Sequence, residues 1–112
     1  MERKLCVVWV NADPDVARNM AFMYAENALK KDWWDVVRFM IWGPSAKLLA
    51  EDDSLQKDFD ALREAGVHLM ACKECADRYG VAGTLEGLGV EVIYVGKPMT
   101  DMLQSDWKVL TV

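Results

Sequence analysis

Apolar residues in this chain come in short runs separated by longer amphipathic stretches. Leu5-Cys6-Val7-Val8-Trp9-Val10 is almost continuously apolar and rich in β-branched residues. That is the pattern of a parallel strand buried on both faces. Runs of the same kind occupy 36–42, 67–71, 90–95 and 107–112. Between the first two, Asn11-Ala12-Asp13-Pro14-Asp15 reads as a helix start. Asp13 can cap, Pro14 fits the first helical position, and Asp15 suits the positive end of the dipole. The helix is predicted to reach about Lys31. Val16, Met20, Met23, Tyr24 and Ala28 form its apolar stripe, and Ala17, Ala21 and Ala25 permit close approach to a sheet.

Gly43-Pro44-Ser45 ends the second strand and opens a short helix over 46–50. Asp53 with Gln56 resembles a capping box. Leu55, Phe59 and Leu62 recur at i, i+4 and i+7, which predicts an amphipathic helix ending at Gly66. A short helix follows over 72–79, with Gly80 as its stop, and another is marked by Val81, Leu85 and Leu88. Gly96-Lys97-Pro98 breaks the fourth strand, and 99–104 forms a helical turn. Strands alternating with helices at this spacing predict a mostly parallel sheet covered on both faces, in a single domain spanning 1–112.

Composition narrows the function classes. The chain is 53% hydrophobic and 28% charged, with a formal net charge of −5. An acidic domain is poorly suited to sequence-independent nucleic-acid binding, and no apolar run is long enough to span a bilayer. The apolar run at the N-terminus is short and ends at Asn11 without a small-residue cleavage site, so it reads as a strand and not as a signal peptide. Three cysteines form no disulfide framework, which points to a reducing, cytoplasmic setting. There is no GxGxxG, no Walker A sequence and no nucleophile elbow. No cofactor is called for.

The chemistry concentrates at Ala71-Cys72-Lys73-Glu74-Cys75-Ala76-Asp77-Arg78-Tyr79-Gly80-Val81. Cys72 falls where a predicted strand ends and a helix starts, the edge at which open α/β sheets bind ligands. Amide groups and the helix dipole there favour a thiolate, and Lys73 adds positive charge. Cys75 follows one helical turn later on the same side. Zinc would need four ligands. Only Cys6 and His68 remain as further candidates, and Cys6 lies in mid-strand, so no metal is assigned. His68 shares a strand face with Cys72 but stands about 13 Å away along the strand. A dithiol redox pair and two inert core cysteines both stay open as readings. Asn11, Asp13, Gly43, Pro44 and Ser45 follow neighbouring strand ends and are placed by topology in the same crevice as Cys72.

The strand–Asn11–Asp13–helix opening, Ile41-Trp42-Gly43-Pro44-Ser45-Ala46 and above all the stretch 67–81 resemble the DsrE/DsrF-like proteins, a group of small sulfur-relay and sulfur-reduction proteins. The hallmark is a cysteine at the end of strand three, followed by a short helix and a Gly-Val step. The resemblance implies a three-layer α/β/α sandwich with a five-stranded, largely parallel sheet. It implies homo-oligomers, often trimers or hexamers, with cysteines near subunit contacts, and partner proteins that donate and accept sulfur. It also implies that Cys72 carries a persulfide. Sulfur carriers of the family need not have Cys75, which is read here as a resolving or auxiliary thiol and keeps dithiol redox chemistry open. Within the same fold class, a non-enzymatic oligomeric or small-ligand binding module is the alternative, for which Trp33, Trp34 and Trp42 could supply interface surface.

Overall fold

The computed structural model describes residues 1–112. All five apolar runs are strands: β1 (Lys4–Trp9), β2 (Val36–Ile41), β3 (His68–Cys72), β4 (Glu91–Ile93) and β5 (Lys108–Thr111). The helices are α1 (Pro14–Val16), a π-helical segment (Ala17–Phe22) running into α2 (Met23–Lys30), α3 (Pro44–Glu51), α4 (Asp53–Ala65), α5 (Lys73–Tyr79), α6 (Ala82–Gly87) and α7 (Gly96–Leu103). The sheet order is β4-β3-β2-β1-β5, and every neighbouring pair is parallel. No helix is long and apolar enough to cross a membrane.

Strand alternation sends side chains to two different layers. Leu5, Val7, Trp9, Val37, Phe39, Ile41, Leu69 and Ala71 enter a large cluster with the buried residues of the π segment, α2, α3, α4 and α6. Trp9, Phe22, Phe39 and Phe59 interlock there, with centroid separations of 5.1 to 6.1 Å. Cys6, Val8, Met40, Met70 and Cys72 point the other way, into a smaller cluster completed by Val95 and by Met102 of α7. The sandwich is therefore lopsided: α7 alone forms most of its third layer. Helix α5 lies between the two clusters, with Ala76 in the large one and Cys75 against the small one.

Several local expectations need correction. The first long helix does not bury Met20 and Met23, which are exposed. Its buried residues are Ala17, Ala21, Phe22, Ala25 and Ala28. A π turn carries more residues than an α turn, so a stripe counted at the α period slips off the sheet. The cap of α4 is Asp52, not Asp53: its carboxylate accepts from Leu55 N at 2.9 Å. Gln56 does not close a capping box and instead donates to the carbonyls of Leu49 and Ala50. Strand β4 is shorter than its apolar run, because Gly96 already begins α7 and Pro98 is accommodated in the first turn of that helix. Pro tolerates that position because its missing N–H has no intrahelical partner to lose.

Candidate functional site

Cys72 closes β3 and caps α5. Its Sγ accepts a hydrogen bond from the backbone N–H of Cys75 at 3.3 Å. The x-x spacing of the two cysteines thus puts two free thiols one helical turn apart at the carboxyl end of β3. Cys75 is half-buried, whereas Cys72 is only 6% exposed.

The electrostatics reverse the expected direction. Burial pushes the Cys72 thiol above its ordinary pKa, and its hydrogen bond with the Cys75 side chain adds to the shift. The amides of Cys75 and Glu74 pull the other way without prevailing. A helix N-terminus favours a thiolate only when desolvation is small, and here Cys72 sits among Met70, Met102 and Val95. Lys73 does not assist. Its Nζ pairs with Asp77 at 2.9 Å, and it lies 5.8 Å from the Tyr94 ring centroid.

The other predicted residues follow the carboxyl ends of β1 and β2, the sheet edge on which Cys72 also lies. Asn11 Oδ1 accepts from Asp13 N at 2.7 Å, and Asp13 caps α1 by accepting from Asp15 N at 2.8 Å. Gly43 adopts φ +82°, ψ −141°, which permits the turn from β2 into α3. Pro44 is exposed at the first position of α3. The Ser45 hydroxyl is fully buried and donates to the Trp9 carbonyl, tying α3 to the end of β1. These residues join the ends of β1 and β2, and their polar atoms are largely spent on caps and turns. Cavities of about 400, 330 and 250 Å³ open elsewhere on the surface. None is lined by Cys72, Cys75 or any of these residues.

Cys6 is inert by position. It is fully buried in mid-strand, and burial pushes its thiol up to about 12. His68 sits at the opposite end of β3 from Cys72, with Nε2 3.0 Å from Glu91 Oε2. No group of three or more His, Cys, Asp or Glu side chains converges on a point. What the sequence reading missed are the methionines of α7: Met99 and Met102 meet the Cys72 cluster. Their i, i+3 spacing was a usable signal for one helix face.

The DsrE/DsrF-like family matches residues 4–112. A search of curated proteins returns no match. Among solved structures, the conserved protein of unknown function BT1422 from Bacteroides thetaiotaomicron superposes with a TM-score of 0.94 at 34% identity, covering 97% of this chain and 94% of that one. The ychN protein from E. coli superposes with a TM-score of 0.72 at 20% identity, covering 98% of this chain and 99% of that one, a likeness of fold. With the parallel five-stranded sheet and the cysteine that ends its third strand, the match places this chain in the DsrE/DsrF-like family.

Proposed function

We propose that this chain is a cytoplasmic sulfur-handling protein in which Cys72 carries a persulfide. The observation that supports the reading is a pair of free thiols one helical turn apart at the end of β3, with the Cys75 N–H on Cys72 Sγ. The Cys72 thiolate attacks the outer sulfur of a donor persulfide, R–S–SH. An S–S bond forms on Cys72, the donor S–S bond breaks, and the donor leaves as a thiolate that takes up a proton. Cys75 then either leaves the sulfur for an acceptor protein or attacks Cys72 Sγ. In the second case HS⁻ departs, the sulfane sulfur is reduced, and the dithiol becomes a disulfide. A cellular thiol pair must reduce that disulfide before the next turnover.

Mass spectrometry after incubation with a persulfide donor tests this. The expected result is one added sulfur on the wild type and none on Cys72→Ser. No added sulfur on the wild type, or equal loading of the variant, overturns it.

The raised Cys72 thiol favours a second reading, a non-enzymatic oligomeric module. Under either reading we propose a homo-oligomer, trimer or hexamer. Trp33 supports it: the ring is 48% exposed beside the exposed Met20 and Met23, along a groove of about 250 Å³. Trp34 and Trp42 no longer do, since Trp34 donates to the Tyr24 hydroxyl and Trp42 packs on the small cluster. Light scattering on the eluted protein reads the assembly, and a monomer at micromolar concentration removes that part of the proposal.

A further inference from the structure

The distribution of sulfur in this fold is one-sided. All three cysteines, with Met40, Met70, Met99 and Met102, lie in or against the small cluster. The large cluster contains no sulfur atom. The three other methionines, Met1, Met20 and Met23, are exposed. Thiols and thioethers are soft donors, and soft donor sets select Cu(I) over harder ions.

We propose that the Cys72–Cys75 pair, backed by the thioethers of Met70, Met99 and Met102, binds one Cu(I) ion. The donor count separates this from a zinc site. Tetrahedral zinc needs four ligands, and no three His, Cys, Asp or Glu side chains converge here. Cu(I) is satisfied by two thiolates, and this turn places the two cysteines one helical turn apart, with the Cys75 N–H donating to Cys72 Sγ at 3.3 Å. Met70 precedes Cys72 by two residues on the same strand face, and Met102, with Met99 packed against it, belongs to the same apolar cluster. Unbranched thioethers can shift to meet an ion without leaving an apolar layer.

Binding is a proton exchange with no change of oxidation state. Two S–H bonds break, two Cu–S bonds form, two protons leave to solvent, and the bis-thiolate complex carries one negative charge. The Cys75 N–H on Cys72 Sγ faces that charge. The bound cation also offsets the burial that disfavours a free thiolate, as metals do at coordinating thiols generally. Cu(I) binding and persulfide loading compete for the same thiols, and the binding test uses no persulfide, so either can fail without the other.

The test uses the full chain, reduced and kept free of oxygen, with Cu(I) supplied as its coloured bathocuproine disulfonate complex. The expected result is loss of colour equivalent to one Cu(I) per chain. Cys6→Ala should behave as wild type, and Cys75→Ser should remove no colour. The double variant Met99→Leu, Met102→Leu should bind about tenfold more weakly. On the wild type, bound Cu(I) should also protect Cys72 and Cys75 from alkylation, read by mass spectrometry without any variant. No transfer from the chelator, transfer undiminished in a folded Cys75→Ser, affinity unmoved in the methionine variant, or no protection from alkylation would each overturn the proposal.

Discussion

The two faces of this sheet solve the same packing problem with different materials. One is closed by four interlocking aromatic rings, branched aliphatics and a row of alanines that lets the first long helix approach closely. The other is closed by cysteine and methionine under a single short helix. Adjacent residues of β2 mark the contrast: Phe39 and Met40 are both fully buried, on opposite faces. Rigid rings fix one arrangement, whereas thioethers fill irregular space and tolerate exchange. The stiff face holds the fold, and the adaptable face carries the thiols.

That contrast can be broken most severely on the stiff side. Phe39→Ala should cost about 3–5 kcal/mol in chemical denaturation, from lost burial and the cavity it leaves. A loss near 1 kcal/mol would mean that the aromatic layer re-packs as readily as the sulfur layer.

The next effect is alkaline and belongs to Cys6. Its thiol ionises near 9.0 without burial and near 12 with it. Between those values the unfolded chain binds fewer protons than the folded one, so stability falls as pH rises. The slope is about 1.4 kcal/mol per pH unit. Cys6→Ala should flatten it, and denaturation midpoints between pH 9 and 12 read the difference.

Smaller still is Gly43→Ala. A methyl there would stand 3.6 Å from Val10 Cγ1, so there is room, but φ +82° strains any L side chain. A destabilisation of about 1–3 kcal/mol is expected from that strain, with the α3 start displaced in amide-proton spectra. Met40→Leu, the counterpart of Phe39→Ala, should cost less than about 1.5 kcal/mol as a volume-conserving exchange. Least of all, Lys73→Ala should leave the Cys72 alkylation rate within about twofold, since an exposed, paired and screened charge does little at a distance. A large fall would mean that Lys73 leaves Asp77 and reaches the thiol during reaction.

Much of this arrangement was legible in the chain. Five apolar runs became five strands because continuous β-branched stretches of that length have few alternatives to a buried parallel sheet. The alternation of His68, Met70 and Cys72 on one side was read correctly because strand period admits only two faces. Asp13 and Pro14 set the first helix start as their chemistry dictates. What was not legible depends on register or distance. The π segment has no local signature, so the Met20–Met23 stripe went to the wrong face. The direction of the Cys72 shift depends on how deeply the fold buries it, and sequence spacing carries no burial. Ser45 and Lys73 carry polar groups at plausible positions, yet only the fold reveals that Trp9 and Asp77 have already claimed them.

Helix α7 packs on the strand that follows it, the edge strand β5. A lone eight-residue helix resting on methionines is the cheapest part of such a molecule to lift. Its backbone amides should therefore exchange with deuterium well before those of β1 and β2. Each such opening would bring the sulfur-rich layer to which Cys72 belongs briefly into water.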